Sequence, residues 1–117
     1  MTDQIAATPV ERPVYARMAV IGGGLIGSSV IRAVRAHGAA GEVMVADANP
    51  AHRARLTALG IADGVFADPA EAVANADLIV LAVPVMAMGA ATAAAAAGMK
   101  PGGRSRWVFS FSIGRSP

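Results

Sequence analysis

Residues 18–27 read Met18-Ala-Val-Ile-Gly-Gly-Gly-Leu-Ile-Gly27. A short run over residues 17–21, apolar from Met18 onward, leads straight into Gly22-x-Gly24-x-x-Gly27. A run this short, with β-branched residues at its end, predicts a buried strand. Ile26, Val30 and Val34 then recur at helical spacing, Arg32 and Arg35 fall on other faces, and Gly38 stands where the helix should end. Strand, glycine turn and helix in this order form the fingerprint of a dinucleotide-binding βαβ unit. Gly22 permits the tight turn, Gly24 removes a side chain that would block a pyrophosphate, and Gly27 lets the helix pack close to the strand. The helix N-terminus offers free N–H groups and a partial positive charge to the phosphates.

Working outward, a second strand over residues 42–46 closes on Asp47, twenty residues past Gly27. An acid at this place accepts hydrogen bonds from the adenosine ribose hydroxyls. The plainer alternative is a glycine turn in an α/β domain that binds no nucleotide. The joint placement of strand, glycines, helix and acid favours the nucleotide. Asn49-Pro50 reads as an N-cap with proline in the first helical position, opening a helix to about Leu59 that Gly60 closes. A short third strand is expected around Val65-Phe66. Asp68-Pro69-Ala70-Glu71 has the spacing of a capping box and starts a helix to about Asn75. Asp77-Leu-Ile-Val-Leu-Ala-Val83 predicts a fully buried fourth strand that Pro84 stops. A helix follows through Ala97, with Gly98 just past its end in the place that favours a left-handed residue. This β-α-β-α-β-α-β-α series implies an α/β fold: a Rossmann-type doubly wound parallel sheet, ordered 3-2-1-4 and truncated at about four to five strands. Gly22 to Gly27, Asp47 and Val83-Pro84 then all lie at strand C-termini on one edge, where strands 1 and 4 diverge.

The 117 residues allow one small domain. A hydrophobic fraction of 55% argues for a buried core and against disorder. The absence of cysteine excludes disulfides and thiolate metal sites. His37 and His52 fall on predicted helices at no metal-ligand spacing and read as solvated helix residues. The apolar run over residues 78–99 is long enough to suggest a membrane span, but Pro84 and Gly89 interrupt it; a buried strand and an alanine-rich helix explain it better. The pI of about 9.9 could suggest nucleic acid. However, the chain up to Met99 carries six Lys and Arg against eight Asp and Glu, a net of −2. The surplus of positive charge comes from Lys100, Arg104, Arg106 and Arg115 alone, so no nucleic-acid partner is expected. Residues 1–16 lack the apolar core of a secretory signal and read as a flexible leader, with Val14 and Tyr15 packing at its end. The expected compartment is the cytoplasm.

The segment Val20-Ile-Gly-Gly-Gly-Leu-Ile-Gly-Ser-Ser29 resembles the nucleotide-binding start of the prephenate and arogenate (cyclohexadienyl) dehydrogenases. So do Ala46-Asp47-Ala-Asn49-Pro50, the strand ending in Val83-Pro84-Val85, and the Met99-Lys-Pro-Gly102 turn. The resemblance spans about residues 17–102. Gly-Leu-Ile-Gly-Ser is its specific part; the rest is shared with Rossmann dehydrogenases of the 6-phosphogluconate and pyrroline-carboxylate reductase type. It implies an NAD(P)-dependent oxidoreductase of tyrosine biosynthesis that oxidatively decarboxylates prephenate or arogenate. By this resemblance Gly22, Gly24, Leu25, Ile26 and Gly27 would carry the pyrophosphate, Asp47 would bind the adenosine ribose, and Val83 and Pro84 would line the cofactor. A carboxylate beside a 2′-phosphate repels it, so Asp47 favours NAD over NADP; Arg53 could offset that charge.

Beyond the Lys-Pro-Gly turn the pattern is lost. The family continues with an Asp-x-Gly-Ser segment, a catalytic histidine and a mostly helical second domain, whereas no histidine follows His52 here. No residue is assigned as catalytic or metal-binding. Residues 103–117 read as a non-matching tail, which a shifted reading frame or a truncated gene would explain. Residues 108–112 alternate and could add a strand. A four- or five-stranded open sheet is expected to expose the apolar edge of strand 4 and the helix face over residues 90–97, and to self-associate. The isolated chain is expected to bind cofactor without turning over substrate. Two other readings remain: a non-catalytic dinucleotide-binding module, and a truncated Rossmann dehydrogenase of another family.

Overall fold

The computed structural model describes residues 15–99 and 106–109. Strand β1 (Tyr15–Ile21) is followed by α1 (Leu25–His37), β2 (Ala40–Ala46), α2 (Pro50–Leu59) and β3 (Gly64–Phe66). Then come α3 (Pro69–Ala72), β4 (Leu78–Leu81), α4 (Val85–Ala96) and β5 (Arg106–Phe109). The five strands form one parallel sheet in the order β3-β2-β1-β4-β5. The fold is the Rossmann-type α/β architecture.

Alternation along the central strands divides the core between two faces. Met18 and Val20 of β1, with Val43 and Val45 of β2, pack under Ile31 of α1 and Leu56 of α2. Ala19 and Ile21, with Met44 and Ala46, face Ala72, Val73 and Ala95 on the α3 and α4 side. Strands buried on both faces explain why residues 18–21 and 78–81 are continuous apolar runs.

Local signals hold where they were strongest. The Asn49 side chain accepts from the Ala51 N–H, Pro50 opens α2, and Gly60 ends it at φ 65°. Gly38 ends α1 at φ 64°. At α3 the capping box is not formed. The Asp68 carboxylate accepts from Ala70 N–H, while Glu71 N–H donates to the Asp68 backbone carbonyl, and the helix stops at Ala72 instead of Asn75.

Both ends of the chain depart from expectation. β1 begins at Tyr15, inside the supposed leader, because β2 begins at Ala40 and offers it a partner: Tyr15 N–H donates to the Ala39 carbonyl at 3.0 Å. Asp77 takes the next amide, Ala16 N–H, at 2.8 Å. The rest of the leader lies outside the described residues. In the tail, β5 pairs parallel with β4, Trp107 opposite Ile79. The edge of β4 is therefore covered, and the domain runs past residue 102. The strand starts two residues before the predicted 108–112 because Trp107 is the residue that packs against the α3/α4-side core. Phe111 lies outside the described residues.

Gly98 is also differently employed. It is not left-handed; its N–H donates to the Ala95 carbonyl at 3.0 Å. A Cβ there would strike the Ala70 backbone, so glycine is needed for the close approach of α4 to α3. Finally, residues 78–99 are divided between β4 and α4, and among the described residues no helix is long and apolar enough to cross a membrane.

Candidate functional site

The β1–α1 turn is fixed by packing at three of its glycines. Gly22 sits at φ 105°, donates its N–H to the Ala46 carbonyl at 2.7 Å, and would drive a Cβ into the Ala82 carbonyl oxygen. A Cβ on Gly27 would fall on the Gly22 carbonyl, so α1 rests on its own turn. A Cβ on Gly23 would strike Leu56 of α2. Gly24 differs. Its φ is −76°, and the nearest atom to a Cβ there is His52 Cε1 at 3.8 Å. Leu25 and Ile26 form the first positions of α1, so their backbones stand at its N-terminus.

Asp47 leaves the end of β2 and ties this turn to α2. Its Oδ2 accepts from Gly23 N–H at 2.6 Å and contacts His52 Nδ1 at 2.9 Å; its Oδ1 accepts from Asn49 N–H at 2.8 Å. Burial acts most strongly on this carboxyl and pushes its pKa upward. The Asn49 and Gly23 amides and the His52 ring together outweigh that, and hold it below the usual carboxylate value. Arg53 Nη1 donates to the backbone carbonyls of Asp47 and Ala48, at 2.9 and 3.1 Å. Ser28 Oγ closes the turn from the other side by donating to the Gly23 carbonyl at 3.1 Å.

A cleft of about 790 Å³ opens at the C-terminal edge of the sheet. Gly22, Gly24, Asp47, Val83 and Pro84 all line it, so the turn, the end of β2 and the end of β4 meet there. Gly27 lies behind the turn and serves packing. The far wall is Ala87, Ala90, Ala91 and Ala94 of α4, small side chains that keep the cleft wide. Such an apolar cleft with a few converging polar groups suits a small organic ligand. Among the described residues no group of three or more His, Asp or Glu could hold a metal ion.

Two residues escaped the sequence reading. His52 does more than stand on its helix in solvent: its side chain, 36% exposed, also lines the cleft and bonds to Asp47. The signal was its place five residues after the acid, in the first turn of α2, which points back to the end of β2. Gly23 escaped because its contact with Leu56 joins elements distant in sequence. His37, by contrast, is exposed.

Known proteins share this arrangement of elements. A family described as NADP oxidoreductase, coenzyme F420-dependent, matches residues 17–102. The chain is 44% identical over 87 residues to the cyclohexadienyl dehydrogenase of Zymomonas mobilis, covering 74% of this chain and 30% of that protein. Its fold is similar to that of prephenate dehydrogenase from A. aeolicus, solved with hydroxyphenyl propionate and NAD+: the TM-score is 0.72 at 19% identity, over 84% of this chain and 34% of that one. Against Synechocystis arogenate dehydrogenase the TM-score is 0.70 at 17% identity, over 80% and 32% of the two chains. The chain thus spans about a third of the length of these relatives. With the match covering most of its length, the chain belongs to the family described as NADP oxidoreductase, coenzyme F420-dependent, and is similar to the nucleotide-binding part of the prephenate, arogenate and cyclohexadienyl dehydrogenases.

Proposed function

We propose that this chain binds NAD in the cleft and forms the nucleotide-binding part of a prephenate- or arogenate-type dehydrogenase. Gly24 carries the reading. Its backbone is one any residue adopts, and no protein atom crowds a Cβ there, yet the turn keeps it bare beside the cleft. A pyrophosphate lying against the turn accounts for that. The residues present fit a dinucleotide. Gly22, Gly24, Leu25, Ile26 and Gly27 would hold the pyrophosphate through the turn and the helix N-terminus. Asp47, kept ionised, would accept from the adenosine ribose hydroxyls and disfavour a 2′-phosphate, so that NAD is preferred and NADP binds more weakly. Val83 and Pro84 would line the cofactor. The bound dinucleotide supplies a hydride acceptor for oxidative decarboxylation.

Hydride transfer also needs the ring acid held against the nicotinamide, a task for groups beyond those assigned here. The 117-residue chain is therefore expected to bind NADH without oxidising prephenate or arogenate. The proposed setting is the cytoplasm, with neither nucleic acid nor membrane as partner, and with self-association.

Calorimetric titration with NADH tests the reading. Gly24→Val is expected to weaken binding at least about a hundredfold, or ~2.7 kcal/mol, while leaving thermal stability nearly unchanged. Equal affinity in wild type and variant would remove the pyrophosphate from this turn.

A further inference from the structure

The Asp47–His52 pair has chemistry beyond holding the turn. Asp47 is an ionised carboxylate, so its oxygens only accept, and the 2.9 Å contact requires the proton on His52 Nδ1. The neutral ring then has a bare acceptor at Nε2, and the protonated ring has a donor there. The ring lines the cleft, with Cε1 3.8 Å from the place of a Cβ on Gly24. It therefore bridges the acid and the bare glycine.

The charged groups around it are few. Asp47 faces it from the end of β2. Arg53, on α2 itself, is held by the Asp47 and Ala48 carbonyls. The glycine turn and the alanine wall of α4 bring no charge. Between β3 and α3, Asp68 turns its carboxylate to the Ala70 N–H at 3.0 Å. The charge of the imidazole thus decides whether the pair facing the cleft is anionic or neutral.

We propose that His52 is a specificity-determining residue for the adenosine end of the cofactor. With a neutral imidazole the pair is anionic and selects a ribose with a free 2′-hydroxyl. With a protonated imidazole the pair is neutral, Nε2 becomes a donor, and a 2′-phosphate is admitted. The proposal rests on the dinucleotide reading of the cleft and deepens it. The two forms of the pair differ by the proton at Nε2, so the selection is expected to respond to pH.

Dissociation constants for NADH and NADPH, measured by calorimetry from about pH 5.5 to about 8.5, test this in wild type and His52→Asn. Asparagine keeps a donor to Asp47 where Nδ1 stands, without the charge. At the alkaline end the two proteins should show the same NADPH-to-NADH preference. At the acid end wild type should exceed the variant in preference for NADPH by about tenfold. The 2′-phosphate titrates against both proteins, so the difference between the two profiles belongs to the imidazole. His52→Gln, also neutral, gives the same comparison should the asparagine variant melt without cooperativity. Parallel profiles, with NADH still bound, would overturn the role of His52 alone. No binding of either nucleotide at any pH would overturn the dinucleotide reading together with it.

Discussion

Gly22 and Gly27 are required by close packing, whereas no protein atom crowds a Cβ on Gly24, and substitution separates the two cases. Gly27→Ala sets a methyl group on the Gly22 carbonyl oxygen. It should cost at least about 2 kcal/mol and lower Tm by about 4–8 °C for each kcal/mol, read from urea and thermal melts. Acid stability is also decided residue by residue. Asp63 Oδ2 accepts from Val43 N–H at 2.8 Å and from Arg35 Nη2 at 2.6 Å. The Val43 N–H is the main cause that holds this carboxyl below its ordinary value; burial opposes it, and the Arg35 and Arg17 charges add to it. A carboxylate whose folded pKa is depressed contributes stability that is complete above its unfolded value, about 3.9, and is lost as pH falls through the folded one. Asp47 acts in the same direction. The urea midpoint of wild type should therefore fall as pH drops below about 4, and Asp63→Asn should flatten that limb. An unchanged acid limb in the variant would show that Asp63 has no part in it.

At the scale of elements, α4 involves two glycines of opposite meaning, one inside it and one just past its end. Gly89 lies in mid-helix with nothing within 4 Å of a Cβ, whereas Gly98 touches the Ala70 backbone. Gly89→Ala should raise stability by about 0.5–1 kcal/mol through helix propensity, and Gly98→Ala should lower it; thermal melts of both check the pair. The same contrast explains what the sequence could tell. The Asn49-Pro50 cap, the Gly60 and Gly38 stops and the Gly22 turn were legible because each acts within a few residues of itself. The starts of β1 and β2 were not, because Tyr15 and Ala40 become strand only by pairing with each other. The start of β5 was missed for the same reason: Arg106 and Trp107 become strand by pairing with Leu78 and Ile79 of β4. That Asp47, Val83 and Pro84 meet at one edge was legible because strand ends converge in this topology. The contact of His52 with Asp47 was not, because it depends on the turn that brings the first part of α2 back onto the acid. Gly98 was read as a stop because its contact with Ala70 lies across two helices.

For the whole molecule, the decisive asymmetry is between a sheet packed on both faces and a fourth helix packed on only one side. No charged residue occurs between Asp77 and Lys100. A helix apolar all round is normally buried all round. Here only Ala95 of α4 is fully buried, while Val85 is 61% exposed and Met86 95% exposed. Because β5 covers the edge of β4, the proposed self-association would rest on the start of α4 and not on that edge. Contact there would remove apolar area from water at about 25 cal/mol per Å², enough to favour association as concentration rises. Sedimentation velocity over a concentration series should show the weight-average mass rising above that of an 11.7 kDa chain. Met86→Glu places a charge at the most exposed apolar position, and should return the protein toward the monomer at equal concentration. Its helix is expected to remain intact, because Met86 contributes little to the core. Should the variant associate as strongly as wild type, α4 is not the surface that drives self-association.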